Sequence, residues 1–130
     1  MTLAEIAKGY YRAFETQDRA FVENNLAEGF TFTSPFDDAI GRDEYFARCW
    51  AQTGMHAKFH FEMVAEEGDQ VVVVYRCEMN WPNAVHPGMD FRNAEKVVFE
   101  GGKLKSVTVF FGDPPNGLTR RQFAVQSGAA

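Results

Sequence analysis

The side chains best equipped for chemistry in this chain lie far apart in sequence: Glu95, Tyr10 and Asp37. Glu95 falls in "MDFRNAEKVVFE", a segment that alternates with period two, one strand after the Arg76 and Glu78 of "QVVVVYRCEMNW". On the inward face of adjacent strands, these three would set an arginine between two partly desolvated carboxyls. Burial raises a carboxyl's pKa and a nearby cation lowers it, and such arrangements gather at functional sites. A structural ion-pair network is the competing reading. Tyr10 can donate a hydrogen bond to a ligand oxygen and stabilise negative charge there. As a core tyrosine it would instead satisfy its hydroxyl locally. Asp37 and its neighbour Asp38 follow "FTFTSP", where alternating aromatic and hydroxyl residues stop at Pro35. One of the two aspartates is a candidate base, although adjacent acids after a proline also suit a solvated turn.

Around these groups, Phe32, Trp50 and Phe111 would form an aromatic wall or part of the core, and Asn93 adds a polar group. A pocket of that composition fits a small hydrophobic molecule carrying one or two oxygens. No metal is expected. His56 and His60 share a strand face, but zinc needs three or four ligands, and His86 is distant. Cys49 has no histidine partner and reads as an inert buried thiol. "EGGK" is a hairpin turn and not a phosphate loop, because no strand-to-helix transition accompanies it. No cofactor is therefore expected.

The positioning elements can be read from periodicity. Leu3, Ile6, Ala7, Tyr10 and Phe14 recur at helical spacing over residues 3–16, and Thr2 with Glu5 makes a capping box. Asp18 caps a second, shorter helix carrying Phe21, Val22 and Leu26 inward. "GFTFTS" is a short strand ended by Pro35, and residues 42–52 form a third helix with Tyr45, Phe46, Cys49 and Trp50 on one face. Four long strands follow from Lys58, joined by turns at Gly68-Asp69 and Gly101-Gly102, with "PNAVHPG" as a longer loop. Helices followed by a meander predict an α+β fold. Residues 1–113 form the domain and residues 114–130 a tail.

Helices cover only one face of such a sheet. The other, predicted to carry Tyr75, Cys77, Met79, Val98 and Phe110, would be too apolar for a monomer, so a homodimer through that face is expected. A net charge of −5 and a pI near 5.1 argue against nucleic-acid partners and anionic membrane surfaces. The start "MTLAEIAKGYY" lacks a signal-peptide pattern, and two widely spaced cysteines suggest no disulfide framework. A cytoplasmic protein with reduced thiols is the expectation.

The order of elements, with "AFETQD", "GFTFTSP", "GRDEYF" and "FEGGKLKSVTVFFG", resembles the nuclear transport factor 2-like superfamily and, more narrowly, SnoaL-like domain proteins, over roughly residues 2–113. The resemblance implies three N-terminal helices wrapped by a strongly curved antiparallel sheet into a cone with an apolar pocket, usually dimeric. Phe30, Phe32 and Ser34 would face the cone, with Thr31 and Thr33 facing away. Among the relatives, ketosteroid isomerases place an oxyanion-hole tyrosine where Tyr10 falls and an oxyanion-hole acid where Glu95 falls. Their base precedes the strand-ending proline, and here that residue is Ser34, which has no useful basicity. The constellations of SnoaL-like cyclases and limonene epoxide hydrolases find no match in the chain. The implied activity is cofactor-free isomerisation, cyclisation, dehydration or hydrolysis. The alternatives are a non-catalytic binding domain and a dimerisation module that uses Arg120 and Arg121 of the tail.

Overall fold

In a computed structural model, the described residues up to Gly112 form three helices on a six-stranded sheet, and residues 121, 122 and 125 are also helical. The structure describes residues 1–50, 56–80, 88–112, 121, 122 and 125, with the backbone but not the side chain of Phe111. Most of the "PNAVHPG" loop, His86, Arg120 and most of the tail lie outside the described residues.

Helix α1 runs Leu3–Thr16 and starts at the expected capping box: Thr2 accepts from the Glu5 N–H, and Glu5 accepts from the Thr2 N–H. It buries Ala7, Tyr10, Tyr11 and Ala13, with Leu3, Ile6 and Phe14 packed beside them. Helix α2, Arg19–Asn25, starts at Asp18, whose carboxylate accepts from the Phe21 N–H. Strand β1, Leu26–Ser34, ends at Pro35 as expected. A strand not foreseen from sequence follows, β2 at Asp37–Ile40, and Ser34 pairs with Asp37 across the Pro35–Phe36 turn. Two acids in four residues mask its strand character.

The third helix departs from the expected α-helix over residues 42–52. α3 spans only Arg42–Tyr45 and continues as a π-helical turn, Phe46–Trp50, while residues 51 and 52 lie outside the described set. Single π turns of this kind occur often at functional sites. The four long strands are β3 (His56–Glu67), β4 (Gln70–Asn80), β5 (Gly88–Glu100) and β6 (Lys103–Phe111).

The sheet order is β2-β1-β6-β5-β4-β3. It is mixed, not wholly antiparallel as expected, because β1 lies parallel to β6. Register shifts interrupt β1, the Phe61–Met63 stretch of β3, and the Val98–Phe99 stretch of β5. Bulges bend a strand and increase its twist, which lets the sheet curve around α1. At the β3 edge, Glu15 accepts from the Phe59 N–H at 2.7 Å and Arg12 donates to the Phe59 carbonyl at 2.9 Å. Side chains of α1 thus satisfy backbone groups that an edge strand leaves open.

The concave face holds the core: Val71, Val73, Tyr75 and Cys77 of β4, with Phe91, Asn93, Glu95, Val97 and Phe99 of β5. This corrects the placement of Tyr75, Cys77 and Met79 on the outer face, since Tyr75 pairs with Asn93, Cys77 with Phe91 and Met79 with Met89, and paired residues share a face; Val98 and Phe110 do lie on the convex side. The convex face instead carries a row of direct cross-strand neighbours, Met63, Val74, Ala94 and Phe110. Met63 is 58% and Phe110 54% exposed. No helix among the described residues is long and apolar enough to cross a membrane.

At the end of β6, Gly112 donates its N–H to the Arg92 carbonyl at 3.1 Å. A Cβ at this position would sit 2.6 Å from that carbonyl oxygen, a backbone atom that cannot swing away. Gly112→Ala is therefore expected to cost about 1–3 kcal/mol of folding stability, as overpacking does. Urea unfolding of the two proteins measures this, and equal midpoints would refute it.

Candidate functional site

Glu95 sits in the middle of β5 on the concave face and is one of two buried polar residues of the described core, the other being Asn93. All four tyrosines of the chain are buried around it. Tyr10 and Tyr11 come from successive positions of α1, Tyr45 from α3 and Tyr75 from β4. Tyr10 and Tyr11 reach one site from adjacent positions because α1 lies with both sides of its apolar stripe against the curved sheet. The rings pack edge to face, Tyr10 to Tyr11 at 5.1 Å and Tyr75 to Phe59 at 5.1 Å between centroids, a favourable aromatic geometry.

The hydroxyls divide the work. Tyr75 donates to Glu95 Oε2 at 2.5 Å. Tyr10 and Tyr45 are hydrogen-bonded to each other, and because the pair uses one hydroxyl proton, one remains to donate elsewhere. The Tyr11 hydroxyl is sealed and has no partner, the sole such atom among the described residues. It lies close enough to Glu95 to favour the charged carboxylate.

Burial dominates the electrostatics. It raises the Glu95 pKa from 4.5 to about 7, against the opposing pull of the Tyr75 and Tyr11 hydroxyls. Burial and the Glu95 charge together push the hydroxyls of Tyr10, Tyr11 and Tyr75 well above the usual tyrosine range. The tyrosines are thus neutral donors, and Glu95 is the group that can change charge near neutrality. Phe32, Phe91, Asn93, Glu95 and Val109 retain 6–8% exposure, whereas Val73, Val97 and Val107 beside them have none. That residual exposure leaves a small part of the concave face beside the carboxyl accessible to water.

The structure groups the residues singled out from sequence unevenly. Glu95, Tyr10, Asn93 and Phe32 come together on the concave face. Trp50 packs partly buried against Phe14 at 4.5 Å and Phe46 at 6.2 Å. Asp37 and Ser34 lie at the β1–β2 turn, where Ser34 donates to Asp37 Oδ2 at 2.6 Å and Arg48 of the π turn stands 3.3 Å from Oδ1. The Asp37 side chain is only 7% exposed and faces Arg48, so it does not sit in a solvated turn. Asp38 is exposed. The Phe111 side chain lies outside the described residues.

Arg76 and Glu78 do not join Glu95, a correction with a simple cause. They alternate with Tyr75 and Cys77, which point inward, and so they point outward. Arg76 pairs with Asp90 at 2.6 Å and Glu78 with His60 at 2.5 Å on the convex side. Glu78 also lines a separate open groove of about 720 Å³ with His56, Lys58 and Asp90 at the far end of β3–β5. The groups that sequence reading missed are Tyr11, Tyr45 and Tyr75. The placement of every tyrosine of the chain at spacings compatible with burial was the available signal. Cys49, expected to be inert, has its thiol pushed up to about 12 by burial.

The Glu95 shift carries a signed consequence for stability. The folded carboxyl holds its proton more tightly than the unfolded chain does, so this stabilisation is full at acid pH and is lost as pH rises from 4.5 through about 7. Glu95→Gln removes the ionisation while keeping the shape. Its stability relative to the parent should therefore rise by roughly 3 kcal/mol between pH 4 and pH 8. Urea unfolding across that range measures the difference, and parallel pH profiles would refute a buried, shifted carboxyl.

The comparisons with known proteins agree with this architecture. A nuclear transport factor 2-like protein of unknown function from Burkholderia pseudomallei K96243 superposes with a TM-score of 0.73 at 19% identity, over 86% of this chain and 92% of that one. A candidate polyketide cyclase from Pseudomonas putida KT2440 gives 0.73 at 14% identity, over 97% and 98%. An epoxide hydrolase of the LEH-like type from M. tuberculosis gives 0.72 at 11%, over 85% and 82%. Identities this low speak to fold alone. No curated protein sequence matches the chain. The sequence model of the SnoaL-like domain matches residues 7–107, which span α1 through most of β6 and include every tyrosine and Glu95. The chain belongs to the SnoaL-like domain family.

Proposed function

We propose that the chain binds a small hydrophobic molecule bearing one or two oxygens on the concave face. There it performs cofactor-free acid–base chemistry of the isomerisation, cyclisation, dehydration or hydrolysis type. The observation that carries this reading is Glu95, a buried carboxyl on an aromatic face whose pKa of about 7 suits it to take and return a proton at neutral pH. The spare hydroxyl proton of the Tyr10–Tyr45 pair serves the ligand oxygen on which charge develops. Phe32, Phe91 and Val109 cover the apolar part of the ligand. Asp37 is not the second base in this reading, because Arg48 and Ser34 already hold its carboxylate. The polyketide cyclase and epoxide hydrolase descriptions of two neighbours are compatible with such chemistry and do not specify it.

A panel of cyclic ketones, lactones and epoxides, screened for turnover, tests the reading. For a compound that is turned over, Glu95→Gln should lower kcat by about 10²–10⁴-fold with KM little changed. Unchanged kcat would remove Glu95 from the chemistry. A non-catalytic binding domain is the second reading, favoured by Ser34, whose hydroxyl is engaged with Asp37 where a free base would be useful. A compound bound tightly and recovered intact would support it.

The second part of the proposal is a homodimer through the convex face, in a cytoplasmic setting compatible with the free thiols of Cys49 and Cys77. The row Met63, Val74, Ala94 and Phe110 is the apolar centre of the interface. Ion pairs Arg92–Glu62 and Arg76–Asp90 flank it, an arrangement of apolar core and polar rim. Phe110→Asp should convert a dimer to a monomer in light scattering after size exclusion. An unchanged mass, or a monomeric parent, would refute this interface.

A further inference from the structure

A directional set of hydrogen bonds ends on the Glu95 carboxyl. The Gly112 N–H, which donates to the Arg92 carbonyl at 3.1 Å, is shared with Asn93 Oδ1 at 3.3 Å, an arrangement that turns the amide nitrogen toward Tyr75. Asn93 Nδ2 then donates to the Tyr75 hydroxyl oxygen at 3.4 Å, and Tyr75 donates to Glu95 Oε2 at 2.5 Å. With an N–H directed at its oxygen, the Tyr75 hydroxyl is fixed as a donor toward Glu95. Bonds aligned in this way polarise one another. Oε1 is not the oxygen that takes the Tyr75 bond, and Glu95 keeps 6% exposure on the concave face beside Phe32, Phe91, Asn93 and Val109.

We propose that Tyr75 and Asn93 are positioning residues that commit Oε2 of Glu95 and leave Oε1 as the oxygen that exchanges a proton with the ligand. This deepens, and rests on, the acid–base reading of Glu95. In the exchange, a ligand proton moves to Oε1 while its bonding pair stays on the ligand, and the same oxygen later returns the proton. Tyr11, with its unpartnered hydroxyl, accepts from a protonated carboxyl or donates to an ionised one, so it follows the charge without fixing it. The titratable groups facing Glu95 are Tyr10 and Tyr11 of α1, Tyr45 of α3, Cys49 of the π turn, and Tyr75 and Cys77 of β4. Burial raises every one of them, which leaves Glu95 to titrate alone below pH 9.

Carboxyl NMR of protein labelled with ¹³C-glutamate reads the Glu95 titration directly. In the parent it is expected near neutrality. Tyr75→Phe removes the donor to the carboxylate and should raise the midpoint by about one pH unit, a tenfold change in proton affinity. Asn93→Ala unlocks the Tyr75 hydroxyl and should raise it by less. Should Tyr75→Phe fail to fold, Asn93→Ala decides. A parent midpoint near neutrality that neither variant moves overturns the positioning role and leaves the acid–base reading intact. A parent midpoint in the ordinary carboxyl range overturns both.

Discussion

The structure is organised around one constraint: a carboxyl taken out of water on the concave face of a sheet. Glu95 is flanked in space by valines and aromatic rings, and no cation among the described residues pairs with it. A lone buried carboxylate is costly. The fold answers with neutral hydroxyl donors, which support the anion without neutralising it. The balance leaves the group half-way between its two charge states near pH 7. A nearby arginine would have favoured its charged form; the Asp37 carboxyl, by contrast, stands 3.3 Å from Arg48. Among the described residues, Glu95 is thus left without a cation while Asp37 is paired with one.

The Asp37 contacts also tie two elements together. The Ser34–Asp37 pairing closes the β1–β2 turn, and Arg48 ties that turn to the π-helical segment. A π turn shifts the phase of the residues after it relative to an α-helix. Tyr45, on the α-helical turn just before it, packs into the core against Phe30 and Phe32, while Arg48 within the π segment reaches back to the β1–β2 turn. On the opposite side, Arg12 and Glu15 fasten α1 to the edge of β3 through the Phe59 backbone. That attachment fixes the roll of α1, and the roll decides that Tyr10 and Tyr11 both point at the concave face.

The two faces of the sheet have separate chemistry. Inside, the polar groups are few and neutral apart from Glu95. Outside, ion pairs Arg76–Asp90, Arg92–Glu62 and His60–Glu78 cross the strands, and the cations left the interior with them. Had β4 been offset by one residue, Arg76 would face Glu95 and hold its pKa down, abolishing the very property that makes the site a candidate for acid–base chemistry. Strand phase is therefore a functional variable here as well as a packing one.

What the sequence determined by itself is what depends on near neighbours. The capping box at Thr2 and Glu5, the Asp18 cap and the stop at Pro35 are local, and so is the inward alternation of Phe91 through Phe99; all of these were readable, while the inward facing of Phe30 and Phe32 came from the family resemblance. The family resemblance added Tyr10 and Glu95 as partners on one cone. The phase of β4 was not readable, because "VVVVY" is apolar on both faces and offers no alternation to count. Its partner β5 supplied the answer by pairing Tyr75 with Asn93. Likewise β2, the parallel contact of β1 with β6 and the gathering of four tyrosines arise from long-range pairing. Only the tertiary structure decided which carboxyl was left without a cation, because desolvation and charge are properties of the assembled surroundings and not of the residue.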